Sequence, residues 1–79
     1  MPKITQDEIL KLVELQLGQR GVRDNDRLVE ELGAESVDVA NLVATVEDKY
    51  GIVIKESEMA RIFTPTDLFE LVQNRLNGS

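Results

Sequence analysis

The sequence predicts an all-α domain, a small bundle of three to four helices with a long loop between the first two. Apolar residues recur at helical spacing in three separate segments, and residues that favour helix starts or ends border each segment. Only Tyr50, Phe63 and Phe69 are aromatic, so leucine, valine and isoleucine must supply most of the core. A chain of 79 residues is long enough for a single domain over 1–79 and leaves no room for a second.

The first helix is expected to run from about Thr5 to Leu17. Thr5-Gln6-Asp7-Glu8 has the form of a capping box, in which the Thr5 hydroxyl and the Glu8 carboxylate each accept a hydrogen bond from a backbone amide that has no helical partner. Gly18 can end the helix in a left-handed conformation. One apolar stripe lies between these signals and consists of Ile9, Leu12, Val13 and Leu17.

A long connection is predicted over residues 18–35, because two early glycines and a charged run at 23–27 resist regular structure. We expect one short helical turn within it, capped by Asp26. Three apolar residues are expected to hold the loop against the core, namely Leu28, Val29 and Leu32.

The second helix is expected over about Ser36 to Tyr50, with Gly51 as its stop. Its core stripe has helical spacing and consists of Val39, Leu42, Val43, Val46 and Tyr50. A second stripe of smaller apolar residues runs beside it and consists of Val37, Ala40 and Ala44. This helix therefore has less polar surface than one that faces only solvent, which indicates that something packs against the second stripe.

The last third of the chain predicts an extended segment, a short helix and a longer helix. Residues 52–54 are too few to form a strand and have no obvious partner strand. We therefore expect an extended loop that turns one or two side chains toward the core. The short helix is expected over about Glu56 to Ile62. Thr64 as cap and Pro65 at the first helical position then start the final helix, which Asn77-Gly78 ends. Its buried face is formed by Leu68, Leu71, Val72 and Leu76.

The charge of the chain argues against several functional classes. The net charge is −6 at pH 7, and residues 30–58 alone hold eight acids against two lysines. This excess of carboxylates argues against binding to nucleic-acid phosphates.

No apolar run is long enough to span a membrane, and Met1 to Thr5 show no basic-then-apolar signal. We therefore expect a cytoplasmic protein without membrane insertion, and a monomer.

The residue types also limit the chemistry. Cysteine and histidine are absent, so thiol chemistry, the usual general base and the commonest metal ligand are excluded, and no metal site is expected. Ser36 follows Gly33 by three residues at the start of the second helix, where free amides and the helix dipole favour an attached phosphate. Without a base beside it, Ser36 suits the substrate of a modification better than a catalytic nucleophile. Residues 32–36 taken alone are more typical of a simple N-cap at Ser36.

The whole pattern is more specific than this local motif. A helix, a long loop, the segment Glu30-Glu31-Leu32-Gly33-Ala34-Glu35-Ser36-Val37-Asp38, an acidic helix, Gly51 to Ile54 and a Thr-capped last helix follow one another in order. This order closely resembles the acyl carrier protein family over about Ile4 to Leu76. The resemblance implies a carrier rather than an enzyme. Ser36 matches the serine to which a separate phosphopantetheinyl transferase attaches 4'-phosphopantetheine from coenzyme A. Acyl groups are then carried as thioesters on the thiol at the end of this phosphopantetheine arm.

The same resemblance implies partners. Family members present acids of the second helix to basic patches on acyl-loading and acyl-transferring enzymes, here in fatty-acid or related specialised lipid or polyketide biosynthesis. The partner surface is therefore predicted to comprise Glu35, Val37, Asp38, Ala40, Ala44, Glu47, Asp48 and Glu56. The residues Met59, Ile62 and Phe63 either edge an acyl chamber, by analogy with the family, or simply pack in the core.

This sequence departs from the family pattern at several positions. Glu35-Ser36-Val37 replaces the usual Asp-Ser-Leu, and Asn41 stands where many members have an acid. Ala40 and Ala44 are smaller than the residues of many fatty-acid carriers, a hint of a specialised carrier. Two alternatives remain open at this point: an unmodified acidic helical adaptor, and a peptidyl or aminoacyl carrier.

Overall fold

The computed structural model describes residues 4–78, which form four helices and no strand. The helices are α1 (Gln6–Leu17), α2 (Ser36–Tyr50), α3 (Glu56–Met59) and α4 (Pro65–Leu76). The predicted all-α bundle with a long loop between its first two helices is confirmed. Residues 1–3, for which we expected no targeting signal, lie outside the described residues. No helix within residues 4–78 is both long and apolar enough to cross a membrane.

The ends of the three longer helices follow from local sequence. The Thr5 hydroxyl accepts a hydrogen bond from the Glu8 backbone amide at 3.2 Å. The Thr64 hydroxyl accepts one from the Asp67 backbone amide, also at 3.2 Å. Gly51 ends α2 with a φ of 66°, in the left-handed conformation that glycine adopts without strain. These three signals were read correctly from the sequence because each depends on residues only a few positions apart.

The core lies between the three longer helices. Helix α1 packs against α2 and α4, and α2 also contacts α3 and α4. Each helix turns its predicted stripe inward, and the most deeply buried side chains on these helices are Ile9, Val13, Leu42, Val46, Leu68 and Val72. Burial of these aliphatic groups is the main favourable contribution to folding, at roughly 1.5–3 kcal/mol for each fully buried side chain.

The long loop is held in place by hydrogen bonds to α1, to α4 and to the segment before α4. The Glu14 carboxylate on α1 accepts the Val22 amide at 3.0 Å. The Thr66 amide on α4 donates to the Asp24 carbonyl at 3.1 Å. The Leu28 amide donates to the carbonyl of Phe63, just before α4, at 2.9 Å. The loop therefore follows a fixed path even though it contains no regular helix.

Two expectations for this loop were wrong. Leu28 is buried and Leu32 is partly buried, but Val29 is 55% exposed and does not anchor the loop. The chain makes one helical turn here, in which the Glu31 amide donates to the Arg27 carbonyl at 2.9 Å. Asp26 does not cap this turn, because its carboxylate accepts the Arg23 amide at 2.8 Å instead.

The segment after α2 tucks in as expected, whereas α3 is shorter than predicted. Ile54 is buried, and Val53 points outward at 74% exposure. Helix α3 ends at Met59 and not at Ile62. The Arg61 amide bonds back only three residues, to the Glu58 carbonyl at 3.0 Å, so the backbone tightens before it leaves for α4.

Candidate functional site

Ser36 is the first residue of α2 and is exposed to solvent. Glu35, with an extended backbone, takes the N-cap position. The interpretation of Ser36 as the N-cap is therefore wrong by one residue. The Asp38 carboxylate accepts the Glu35 amide at 2.9 Å and closes the first turn. The fold therefore does not rely on the Ser36 hydroxyl as a cap, and that hydroxyl is accessible for modification.

The turn before α2 determines where Ser36 lies. Gly33 has a φ of 72°, which a residue with a Cβ atom rarely adopts. The next residue, Ala34, is buried, and its amide donates to the Leu28 carbonyl at 2.8 Å. A buried anchor two residues before Ser36 thus fixes the start of α2 against the loop, while Ser36 itself stays at the surface.

The start of α2 suits an attached phosphodiester. The first amides of a helix have no partner within the helix, and the macrodipole places partial positive charge there. Both features favour a phosphate on the first residue. The neighbouring carboxylate of Glu35 is exposed, so water weakens its repulsion of such a phosphate. The residues present therefore fit a 4'-phosphopantetheine arm on Ser36, which would supply the thiol that the chain itself lacks.

A cavity of about 440 Å³ opens beside Ser36, and we call it the Ser36 pocket. Its walls come from three parts of the chain: the loop, the start of α2, and α3 with the residues that follow it. The lining residues are Val29, Glu30, Ser36, Val39, Glu56, Met59, Ala60, Ile62 and Phe63. Met59, Ile62 and Phe63, for which the sequence left two interpretations open, all line this pocket. Ile62 is also buried in the core and Met59 packs against the core, whereas Phe63 is 52% exposed.

Sequence reasoning missed part of this pocket. Val29 and Val39 were assigned to the core, and both line the pocket. Val39 also packs against the core as predicted, whereas Val29 is exposed. Val39 is the first member of a helical stripe whose middle members, Leu42, Val43 and Val46, are buried, and no sequence signal separates it from them. A second cavity of about 430 Å³ lies along α1 and shares no lining residue with the Ser36 pocket.

The predicted partner surface divides into two groups. Most of its members are exposed and free to meet a partner: Glu35, Val37, Ala40, Ala44, Asp48 and Glu56. Asp38 and Glu47 are partly buried, and their carboxylates accept backbone amides within the chain. Glu56 also lines the Ser36 pocket, which links the predicted surface to that site. The role of all eight residues in partner binding stays a prediction.

Comparisons with known proteins agree with this geometry. The chain matches the family model for the phosphopantetheine attachment site over residues 7–72, a range that contains Ser36. An acyl carrier protein from Campylobacter hominis is 33% identical over 61 residues, which cover 77% of each chain. An acyl carrier protein from Wolinella succinogenes is 33% identical over 69 residues, which cover 85% of this chain and 91% of that one.

Solved structures share the fold. A candidate acyl carrier protein from Mycobacterium tuberculosis matches with a TM-score of 0.79 and 25% identity, over 90% of this chain and 95% of that one. The solution structure of the oxytetracycline acyl carrier protein has a TM-score of 0.80 at 24% identity, over 99% and 87% of the two chains, and supports the fold alone. Because the family match spans most of the chain and includes the turn that presents Ser36, the chain belongs to the acyl carrier protein family.

Proposed function

We propose that Ser36 is the attachment residue for 4'-phosphopantetheine and that the domain carries acyl groups as thioesters on that arm. The observation that carries this proposal is the exposed Ser36 at the first position of α2, beside an apolar pocket. Acyl carrier proteins are carriers and not catalysts, and they bear this arm covalently. They interact with a phosphopantetheinyl transferase and with biosynthetic enzymes.

Ser36, the first amides of α2 and the Gly33 turn would each have a separate role in the attachment. Ser36 Oγ would form a phosphodiester bond to the phosphorus of the phosphopantetheinyl group, while the pyrophosphate bond of coenzyme A breaks and adenosine 3',5'-bisphosphate leaves. The transferase would supply the groups that remove the hydroxyl proton. The free amides at the start of α2 stabilise the phosphate. The Gly33 turn holds this helix start in place, so that the arm leaves the domain beside the pocket.

We place the carrier in fatty-acid or related specialised lipid or polyketide biosynthesis. Its exposed acids on α2 suit basic patches on the enzymes that load and transfer acyl groups. An aminoacyl or peptidyl cargo is a less favoured alternative, because the middle of the chain is strongly acidic. A cytoplasmic, monomeric carrier is part of the same proposal.

The attachment is tested by mass. The purified chain is incubated with coenzyme A and a phosphopantetheinyl transferase of broad specificity, and its mass is then measured by mass spectrometry. We expect a gain of one phosphopantetheinyl group in the wild type and in Ser57→Ala, and none in Ser36→Ala. Ser57 is a matched control, since it is exposed at the second position of α3. An unchanged wild-type mass, or a gain that persists in Ser36→Ala, would refute the attachment and favour an unmodified adaptor.

The partner surface is tested by charge reversal. In an acyl-transfer assay with a partner enzyme, Asp48→Lys is expected to lower the association rate by several-fold at low salt. Glu70→Lys reverses an exposed charge on α4, outside the predicted surface, and should have little effect. Added salt should slow the wild type and narrow the gap between it and Asp48→Lys. Equal effects of the two substitutions would mean that partner enzymes do not bind through the acids of α2.

A further inference from the structure

Arg27 is the basic residue closest to Ser36 in the sequence. Residues 28–48 contain six acids and no lysine or arginine. We propose that the Arg27 guanidinium binds the phosphate that joins the phosphopantetheine arm to Ser36, and so holds the root of the arm at the start of α2. This inference rests on the proposed attachment of the arm to Ser36.

The backbone folds Arg27 back toward the start of α2. The Arg27 carbonyl accepts a hydrogen bond from the Leu32 amide at 3.0 Å, which closes a single turn. The Leu28 carbonyl accepts one from the Ala34 amide at 2.8 Å. The residue after Arg27 is therefore hydrogen-bonded to the residue two positions before Ser36, and the two ends of this segment lie together.

The Arg27 side chain pairs with a residue that borders the same cavity as Ser36. Arg27 Nε lies 2.9 Å from Glu30 Oε2, and both Glu30 and Ser36 line the Ser36 pocket. The two paired side chains are more than half exposed, so water weakens their attraction. A guanidinium has five N–H donors in a planar fork, more than one carboxylate occupies. Arg27 therefore has donors left for a phosphate on Ser36.

Attachment of the arm would add negative charge to a surface that is already acidic. A phosphodiester is an anion at neutral pH. Glu35 precedes Ser36 in the chain, and Glu30 and Glu56 line the pocket beside it. Water screens the repulsion from these carboxylates but does not abolish it. Because a guanidinium forms strong, often bidentate hydrogen bonds with phosphate oxygens, a contact with Arg27 would offset the added charge.

The basic residues near α3 are less well placed for this contact. Arg61 lines a different cavity, together with Glu58. The Arg75 guanidinium is already paired with Glu58. Lys55 is exposed and precedes Glu56, which lines the Ser36 pocket. Lys55 is therefore the strongest competitor of Arg27, and the test includes it.

The contact is tested by NMR spectroscopy of the protein with and without the arm. We expect the Nε–H resonance of Arg27 to shift when the arm is attached, and that of Arg23 to stay in place. The phosphorus resonance of the arm should shift in Arg27→Gln, and not in Arg23→Gln or Lys55→Gln. Arg23 is a matched control, since it is exposed in the same loop. An unmoved Arg27 resonance, or a phosphorus shift of equal size in all three variants, would overturn the proposal.

Thermal stability provides a second measurement. Arg27→Gln should fold, because the bonds of Arg27 in the turn are made by its backbone amide and carbonyl. The change in melting temperature on attachment of the arm should be about 2–4 °C less favourable in this variant than in the wild type at low salt. Added salt should reduce that difference. Arg27→Lys keeps the charge without the planar fork and should retain part of the wild-type value. A change in Arg27→Gln equal to that in Arg23→Gln would count against the contact.

The outcomes distinguish this inference from the proposed function. If Ser36 took up no arm, the mass of the protein would not change, and the proposed function would fail. If the mass rose but Arg27→Gln matched Arg23→Gln in both measurements, the attachment would stand and only the contact with Arg27 would be overturned.

Discussion

The carboxylate of Glu47 accepts the backbone amide of Ile54 at 2.8 Å. This bond ties α2 to the extended segment that follows it and holds Ile54 in the core. Glu47 is also one of the acids predicted to meet partner enzymes. The same carboxylate would therefore affect both the stability of the domain and its binding, and the two effects must be measured separately.

Removal of this carboxylate should destabilise the domain. Glu47→Ala leaves the Ile54 amide without its partner, and we expect the free energy of unfolding to fall by about 1–2 kcal/mol in urea denaturation. Glu47→Gln keeps an acceptor oxygen and should lose less. Asp48→Ala, at the next and exposed position, should stay within about 0.5 kcal/mol of the wild type. Equal losses for Glu47→Ala and Asp48→Ala would show that the bond does not contribute.

A second prediction concerns the tether between the long loop and α4. The Thr66 hydroxyl donates to the Asp24 carbonyl at 2.9 Å and accepts the Gln6 side-chain amide at 3.0 Å. Thr66→Val keeps the shape of the side chain but removes both bonds, so we expect a loss of about 1–2 kcal/mol in the free energy of unfolding.

Thr45 is the matched control for this substitution. Its hydroxyl donates to the Asn41 carbonyl within α2, at an exposed position. Thr45→Val should therefore change the free energy of unfolding by no more than about 0.5 kcal/mol. If both valine variants unfolded at the same urea concentration, the tether would not stabilise the loop.

Local signals explain what could be predicted from the sequence. The caps at Thr5 and Thr64 and the glycine stop at Gly51 act over a few residues, so the bounds of the longer helices were accessible. The resemblance to a known family made Ser36 the candidate attachment residue. The N-cap at Glu35 was not accessible, because serine is a preferred N-cap residue and glutamate is not.

Long-range contacts explain what could not be predicted. Val29 has the character of a core residue, yet the hydrogen bond of its neighbour Leu28 to Phe63 leaves it on the wall of the pocket. The structural roles of Asp38 and Glu47 depend on which backbone amides the fold brings within reach. Composition and spacing do not contain this information, since it arises only when separate segments pack together.

A third prediction uses two leucines to separate the core from the surface. Leu68 on α4 is 0% exposed, whereas Leu15 on α1 is 80% exposed. Leu68→Ala should lower the free energy of unfolding by about 3 kcal/mol, because it removes buried apolar contacts and leaves a cavity. Leu15→Ala should change it by no more than about 0.5 kcal/mol. A large loss for Leu15→Ala would mean that this side chain is covered in solution, for example by a second copy of the chain.

The last prediction concerns the contact between the end of α2 and the start of α1. The Tyr50 hydroxyl donates to Glu8 Oε2 at 3.0 Å. Burial, this hydrogen bond and the negative charge of Glu8 together raise the pKa of Tyr50 from 10.0 to about 12. Tyr50 is the sole tyrosine of the chain, so absorbance of the phenolate reports its titration alone.

Tyr50 should therefore stabilise the fold up to about pH 10 and lose its effect as the pH rises through about 12. In this range the unfolded chain releases the phenolic proton while the folded chain retains it, so deprotonation favours unfolding. The side chain is only partly buried, and water reduces the size of the effect. In Tyr50→Phe this dependence should vanish, so the difference in the free energy of unfolding between wild type and variant should shrink above pH 10. A phenolate midpoint near 10 in the folded protein would contradict the contact with Glu8.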